Sequence, residues 1–201
     1  MKKLTILHIA LFLSASACTA TLSAQTTLSP AGKNSATMDE SFMDRYYGFK
    51  SAYPKSAEAC GSYAASSYTK EKFMERYNQI KAAYPILMEV FANYAGSEYT
   101  LEDFAKRYYE IKDTYPALTK CYGSYAASNK KLPEFIKRYN EVKDSSPDLS
   151  ECFGQYAASD NELPEFTARY NGIKASNTGM KNCYCEYAGS TKKLSIKYSS
   201  K

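Results

Sequence analysis

The 201-residue chain contains no tryptophan and a single histidine, His8. His8 stands in an N-terminal segment that we expect to be removed, so the mature chain would contain no histidine. This excludes Ser-His and Cys-His nucleophile systems as well as imidazole metal sites. Carboxylates are present, but none recurs as a pair that the sequence pattern would bring into a cleft. The sequence therefore predicts a protein that is not an enzyme and that carries no metal and no cofactor.

Long apolar runs are also missing. The apolar run from Leu4 to Leu13 is too short to cross a membrane, and it follows Lys2 and Lys3, which is typical of a secretory signal peptide. We therefore predict a signal peptide over residues 1–24, followed by a Ser/Thr-rich tether over residues 25–41. The remaining part, residues 42–201, is predicted to be a helical array with a short polar C-terminal tail.

Two processing routes for the signal peptide stay open. One is cleavage by signal peptidase after Ala20 or Ala24. The other is lipidation at Cys18, because residues 15–18 (Ala-Ser-Ala-Cys) resemble a bacterial lipoprotein cleavage box apart from alanine in place of the usual leucine. The expected location is accordingly the periplasm, the cell surface through a lipid anchor, or the exterior of a bacterium.

No long basic tract is present either. Removal of the signal peptide takes Lys2 and Lys3 with it, which leaves 24 basic and 21 acidic residues. A chain so nearly balanced in charge, without a basic run, is not expected to bind nucleic acid.

The mature chain would hold an odd number of cysteines: Cys60, Cys121, Cys152, Cys183 and Cys185. Equivalent positions of stacked helices lie about 10 Å apart, beyond the reach of about 7 Å that a disulfide requires. We therefore interpret Cys121, Cys152 and Cys183 as buried thiols. Cys183 and Cys185 are two residues apart, so on a helix they point in different directions and do not suggest a metal site.

The main feature present in the chain is a fixed period of 31 residues. It is carried by five phenylalanines, without insertion or deletion between them: Phe42, Phe73, Phe104, Phe135 and Phe166. Each Phe is followed by an Arg-Tyr pair, an apolar-Lys pair and a later Tyr-Ala pair. Such a period indicates a repeat array, in which each unit buries its apolar face against the next.

Each copy of the period reads as two antiparallel helices of about a dozen residues. Apolar residues at Phe73, Tyr77, Ile80 and Tyr84 follow the helical spacing, and Pro85 ends that helix. The same spacing recurs in a second segment, at Leu118, Cys121, Tyr122 and Tyr125. The predicted fold class is therefore all-α, an α-solenoid of five 31-residue helix-turn-helix repeats. A core with this much tyrosine requires hydroxyl groups that reach water or a partner.

Glycines at one position of the second helix predict a close approach between helices. Gly61, Gly123 and Gly154 are equivalent, and Ala92 and Cys185, also small, occupy the same position in the other copies. Glycine inside a helix costs roughly 0.8–1 kcal/mol relative to alanine. Three such costs at one position suggest that a neighbouring helix leaves no room for a side chain.

Together these features resemble the tetratricopeptide class of helical repeats, with aromatics on the first helix, small residues on the second and proline at the turn. The period of 31 differs from the 34 of that family, and its Trp and Leu-Gly positions are missing. The resemblance covers residues 42–190. It implies a right-handed superhelix whose first helices line a concave surface. Separately, the first and last copies depart from the pattern, at Ser56 and at Asn177 and Thr178, which predicts that they act as caps.

Two rows of polar residues on the first helices are the predicted ligand-binding residues. The Tyr/Asn row is Tyr47, Asn78, Tyr109, Asn140 and Asn171, and the Lys row is Lys50, Lys81, Lys112, Lys143 and Lys174. The rows are three residues apart, so they are adjacent on one helix face and could hydrogen-bond a peptide or a sugar. The alternative is that they are an ordinary solvated face.

A third row, of arginines, is Arg45, Arg76, Arg107, Arg138 and Arg169. We expect these arginines to cover the aromatic stripe with their aliphatic stems and to keep their charged ends in water. Arg107 and Arg138 are expected to pair with Glu110 and Glu141, three residues on.

The sequence thus predicts an exported, non-catalytic scaffold that recognises a protein or peptide, or alternatively a glycan, through the concave face of its array. The alternative function is a structural surface spacer without a discrete ligand. The sign of the net charge alternates from copy to copy and is positive in both the first and the last copy. Because like charges at the two ends would oppose head-to-tail stacking, a monomer is expected.

Overall fold

The computed structural model of the protein describes residues 40–194. This stretch is all helical and has no strand. The predicted signal peptide, Cys18, nearly all of the tether and the end of the tail lie outside the described residues. No helix within residues 40–194 is long and apolar enough to cross a membrane.

Five longer helices alternate with five short ones. The longer helices are α1 (Phe42–Ala52), α3 (Lys70–Ala83), α5 (Leu101–Thr114), α7 (Leu132–Ser145) and α9 (Leu163–Ser176). The short helices are α2 (Cys60–Ala65), α4 (Phe91–Gly96), α6 (Tyr122–Ala127), α8 (Phe153–Ala158) and α10 (Tyr184–Gly189). A 3₁₀ segment precedes each short helix, over Pro54–Ala59, Pro85–Val90, Thr119–Cys121, Pro147–Leu149 and Thr178–Cys183.

The starts of the longer helices follow their capping residues. The hydroxyl of Thr100 accepts a hydrogen bond from the amide of Asp103 over 3.1 Å. Pro133 lies in the first turn of α7, where its missing N–H costs nothing. Each longer helix ends just before the predicted proline or its equivalent.

The second segment differs from the prediction of a continuous helix of about a dozen residues. Its first half is 3₁₀, and Leu87 and its equivalents Ser56 and Met180 leave helical geometry altogether. Only the last six residues of the segment are α-helical. Proline at the turn fixes the entry to the segment, and the short α-helix carries the small residues that permit close packing.

Each longer helix packs against the short helix that follows it, and the repeated phenylalanines belong to the buried core. Phe42, Phe73, Phe104, Phe135 and Phe166 are all 0% exposed, as predicted. Each of the last four meets the short-helix tyrosine of the preceding pair edge to face, with 5.4 Å between ring centroids for Tyr94 and Phe104. Three of these tyrosine hydroxyls donate to polar side chains: Tyr94 to Gln79, Tyr125 to Glu110 and Tyr156 to Glu141, over 2.7, 2.6 and 2.9 Å.

The arginine row is structural, and the prediction of water-exposed guanidinium groups is wrong. Arg107 donates to the carbonyls of Tyr125, Ser128 and Lys130 over 3.0, 2.9 and 2.7 Å, and its guanidinium carbon lies 4.3 Å from the Tyr125 ring centroid. The other four arginines make related contacts with their own short helices. The carbonyl of Tyr125 also accepts a hydrogen bond from the amide of Ser128, and the carbonyls of Ser128 and Lys130 follow the helix. The guanidinium group therefore ties the end of the short helix to the segment after it, and it lies over the tyrosine ring.

The expected pairing of Arg107 and Arg138 with Glu110 and Glu141 is also not found among the described ion pairs. The two glutamates accept hydrogen bonds from Tyr125 and Tyr156 instead.

The short helices pack on one another in a closed circuit. Helix α2 contacts α4, α4 contacts α6, α6 contacts α8, α8 contacts α10, and α10 contacts α2. The expectation that the first and last copies are free caps is therefore wrong. The expectation that the first helices line the concave surface is wrong as well, because the short second helices lie innermost and the longer helices lie outside them.

One close contact recurs between neighbouring short helices and also joins the last to the first. A Cβ added to Gly123 would lie 2.8 Å from Val90, and one added to Gly61 would lie 2.8 Å from the Cβ of Cys183. The prediction that these glycines admit a neighbouring helix is thus confirmed. At closure, Phe42 also packs edge to face on Tyr187, with 5.2 Å between centroids.

Closure brings together the first and last copies, both of which carry net positive charge. Charge alternation therefore holds at four of the five contacts and fails at the fifth, as it must in a ring of five. Because the two positive copies meet within one molecule, they do not form free ends that oppose head-to-tail stacking, and the monomeric state stays a prediction.

Cys152 and Cys185 form a disulfide with 5.1 Å between their Cα atoms, so the interpretation of Cys152 as a buried thiol is wrong. The bond joins Cys152, just before α8, to Cys185 of α10, and the two positions are 33 residues apart, two more than the period. In other copies the same two positions are the close contacts of Gly61 with Cys183 and of Gly123 with Val90. These positions lie closer together than equivalent positions of neighbouring copies, so a disulfide can form. Cys60, Cys121 and Cys183 are free and buried.

Candidate functional site

A cavity of about 510 Å³ opens where the five short helices surround a common axis, and all five helix pairs contribute to its lining. Its inner lining is one polar side chain from each short helix, spaced 31 residues apart. We call this set the floor tier: Ser62, Asn93, Ser124, Gln155 and Glu186.

The small residues of the short helices hold the floor tier in place. A Cβ on Gly123 would lie 2.5 Å from Oδ1 of Asn93, and one on Gly61 would lie 3.3 Å from Cγ and Cδ of Glu186. Each of these polar side chains therefore lies over the glycine of the next helix in the circuit. The glycines both permit helix contact and make room for the floor tier.

A second tier lines the cavity one turn earlier in the chain, and we call it the rim tier: Glu58, Glu89, Lys120, Glu151 and Asn182. Tyrosines of the next longer helix orient two of its carboxylates. The hydroxyl of Tyr77 donates to Glu58 over 2.8 Å, and that of Tyr108 donates to Glu89 over 3.1 Å. The pKa of each tyrosine is raised to about 12, mainly by desolvation and secondly by the hydrogen bond to the carboxylate.

The cavity continues along the axis into two further spaces. A narrow section of about 170 Å³ shares Ser62, Asn93, Gln155 and Glu186 with the first cavity and is otherwise lined mainly by Ala, Ser and Gly. A space of about 460 Å³ follows, next to the carboxyl ends of α4, α6, α8 and α10. The floor tier therefore stands at the constriction between the wide cavity and the narrow section.

Glu186 is the one charged member of the floor tier. Its carboxylate has no side-chain hydrogen-bond or ion-pair partner in the described part of the chain, and desolvation raises its pKa to about 7. The neighbouring thiol of Cys183 has a pKa of about 12, raised first by burial and then by the charge of Glu186. Counting both tiers and Lys181, the cavity holds four carboxylates and two ammonium groups. It is therefore polar and carries net negative charge, which is larger when Glu186 is ionised.

The predicted binding rows lie elsewhere. All ten residues are exposed on the longer helices, with Tyr47 and Tyr109 at 38% and 40%, and none of them lines the three axial spaces. Lys112 lies over the rings of Tyr108 and Tyr109, 5.8 and 5.6 Å from their centroids. It also borders a shallow groove with Glu89 and Tyr122. The rows thus form part of the outer surface, where the hypothesis of ligand binding stays a prediction.

The sequence analysis did not predict the floor tier as a site, although its residues follow a regular pattern in the sequence. In every copy, the residue that follows the small position of Gly61, Ala92, Gly123, Gly154 and Cys185 is polar. Helical spacing alone does not distinguish a polar residue that faces a central axis from one that faces bulk water. The circuit of short helices makes that distinction.

Within residues 40–194, no group of three or more His, Cys, Asp or Glu side chains is arranged to hold a metal ion. The cavity can act through hydrogen bonds and through the charge of Glu186.

No protein-family model, curated protein or solved structure matches this chain.

Proposed function

We propose that the chain is a five-repeat α-solenoid closed into a ring, and that it serves as a non-catalytic scaffold that binds a protein or peptide. The observation that carries this proposal is the axial cavity, to which each of the five helix pairs contributes polar side chains. A cavity shared by all copies is the concave surface of this architecture. Its floor tier differs from copy to copy, as recognition of an asymmetric ligand requires.

The dimensions favour a narrow ligand segment. About 510 Å³ is within the size range of small-ligand sites and much smaller than a folded domain, so a side chain or an extended peptide end is the part that enters. The hydroxyl and amide groups of Ser62, Asn93 and Gln155 supply the donors and acceptors that a peptide needs.

The test is selection from a displayed random-peptide library with the mature chain as bait. Enriched peptides are then measured against two variants. Ser62→Phe places a large ring where the cavity meets its narrow section, and it is expected to abolish binding. The double variant Asn140→Ala with Lys143→Ala changes the outer rows and is expected to leave binding unchanged.

The opposite result, loss of binding only in the outer double variant, would move the site to the Tyr/Asn and Lys rows. Failure to enrich any peptide would favour the structural spacer instead. Thermal unfolding of both variants, compared with the parent chain, distinguishes loss of the site from loss of the fold.

We further propose that the protein is exported and acts in the bacterial envelope or outside the cell. The support is the sequence of residues 1–24, together with the Cys152–Cys185 disulfide, a bond that persists in oxidising compartments. If Cys18 is lipidated, Cys18→Ser should release the protein and abolish acyl labelling. An unmodified mature start at Thr21 or Gln25, found by mass spectrometry, would show the soluble route.

A further inference from the structure

We infer that the constriction of the axial cavity is a binding site for a primary alkylammonium group, with Glu186 as its counter-ion. This inference rests on the proposed function and deepens it, since it names the group that enters the cavity. The shared chemistry has two sources, a lysine side chain of a partner or a free aliphatic diamine.

Glu186 carries the argument. It is the only charged side chain in a tier whose other members are hydroxyls and amides, and neither Lys120 nor Lys181 pairs with it. Its Cγ and its carboxyl carbon both lie over Gly61, 3.3 Å from where a Cβ would stand, and the residue lines both the wide cavity and the narrow section. A partly buried carboxylate without a cation is unfavourable, and an incoming ammonium group removes that cost.

The neutral members of the tier suit the same ligand. An ammonium group has three donors and no acceptor, so it needs oxygen atoms around it. Ser62, Asn93 and Gln155 reach the same constriction and carry such oxygens. The narrow section beyond has a volume of about 170 Å³ and is lined by small side chains. It admits an alkyl chain, whereas the wider guanidinium group of arginine or an aromatic ring fits such a space less readily.

Binding by this route must depend on pH. Side chains face Glu186 from each element packed against it. Those before α10 are Lys181 and Cys183. Those of the α2 pair are Cys60 and Ser62 on the helix and Glu58 before it, and those of the α8 pair are Gln155 on the helix and Glu151 before it. Arg169 of α9 is engaged with the carbonyls of Tyr187 and Lys192. The thiols of Cys60 and Cys183 have pKa values of about 11 and 12 and stay neutral near pH 7. Glu186 is therefore the group that changes charge in this range.

The experiment is calorimetric titration of the mature chain with 1,5-diaminopentane at pH 8 and pH 6. Binding is expected at pH 8 and should be about tenfold weaker at pH 6, where Glu186 is mostly protonated while the amine keeps its charge. Glu186→Gln should abolish binding at pH 8. Glu165→Gln, an exposed carboxylate of α9 outside the cavity, serves as the matched control and should bind as the parent chain does.

A second arm identifies the source. N-acetyl-Gly-Lys-Gly-amide is titrated alongside the diamine, and tighter binding of this peptide assigns the site to a partner's lysine, whereas tighter binding of the diamine assigns it to a free amine. Equal binding of the neutral 1,5-pentanediol, binding that survives Glu186→Gln, or no binding of either amine would overturn the inference. Library peptides that bind in the cavity without lysine would also overturn it, while leaving the proposed function intact.

Discussion

The backbone amide of Phe42 donates a hydrogen bond to the carbonyl of Lys193 over 2.9 Å. In the other helix pairs, the equivalent phenylalanine donates to a carbonyl four residues earlier in its own chain segment, such as Phe104 to Thr100. Lys193 is 93 residues beyond Thr100, three full periods, so it is the equivalent of Thr100 in the repeat that follows the last helix pair. The segment after α10 thus supplies the carbonyl at the start of α1. Helix α1 accordingly has 11 residues where the other longer helices have 14.

Closure of the ring can be tested with a cysteine at Gly61. This position contacts Cys183 as Cys185 contacts Cys152, and the latter pair is bonded. We expect Gly61→Cys to form a disulfide with Cys183 under oxidising conditions and to raise the melting temperature relative to the reduced protein. The loop-entropy model gives on the order of 4 kcal/mol for a loop of this length, less any strain from the close contact. Peptide mapping without reduction is the measurement.

The control for closure is Gly172→Cys, because nothing lies within 4 Å of a Cβ at Gly172. Its thiol should stay free and alkylate readily. A free thiol at position 61 in the folded protein would mean that α10 and α2 do not meet in solution.

Phe104 tests the core stripe. It is 0% exposed and packs against Tyr94, so Phe104→Ala should destabilise the fold by roughly 3–5 kcal/mol through lost burial and the cavity left behind. Chemical denaturation measures the loss. Asn140→Ala on the exposed face should change the free energy of unfolding by less than about 0.5 kcal/mol, and a loss below 1 kcal/mol at Phe104 would contradict the packing.

Substitution of Arg107 tests the arginine hydrogen bonds at the end of each short helix. Arg107→Lys keeps the charge but cannot reach the carbonyls of Tyr125, Ser128 and Lys130 together, so a loss of about 2 kcal/mol is expected. Arg138 provides the comparison. It makes fewer hydrogen bonds, to Tyr156 and Asn161, and its buried Nε has no hydrogen-bond partner among residues 40–194. Arg138→Lys should cost less, as judged by denaturation of both variants, and equal costs would mean that the hydrogen bonds do not determine the effect.

Glu186 predicts how stability depends on pH. Its pKa in the folded protein, about 7, lies above the ordinary value of 4.5, so the folded state binds the proton more tightly than the unfolded state. The associated stability is complete below pH 4.5 and is lost as the pH rises to about 7, with a change of roughly 2–3 kcal/mol. Glu186→Gln should remove this dependence and be the more stable protein at pH 8. Parallel unfolding curves of the two proteins at every pH would exclude Glu186 as the cause.

Local order in this protein is determined by its sequence. Phe104 and its equivalents form the buried stripe. Thr100 and the prolines indicate where helices start and end. Gly61 and the equivalent glycines indicate close contact between helices. All of these are short-range signals, because spacing and capping act within one helix or one turn. The all-helical fold of packed pairs follows from them.

The arrangement of those pairs relative to one another depends on contacts between residues far apart in the chain. The period is the same for an open array and for a ring, since both place each unit against the next, and the small rotation between units that closes the circuit leaves no mark in one copy. Closure turned the second helices inward, made Lys193 a neighbour of Phe42 and brought Cys185 to Cys152. It also turned Glu186, which reads in the sequence as an ordinary helix-surface carboxylate, into the charged group at the centre of the cavity, because a side chain's surroundings depend on contacts with residues far away in the chain.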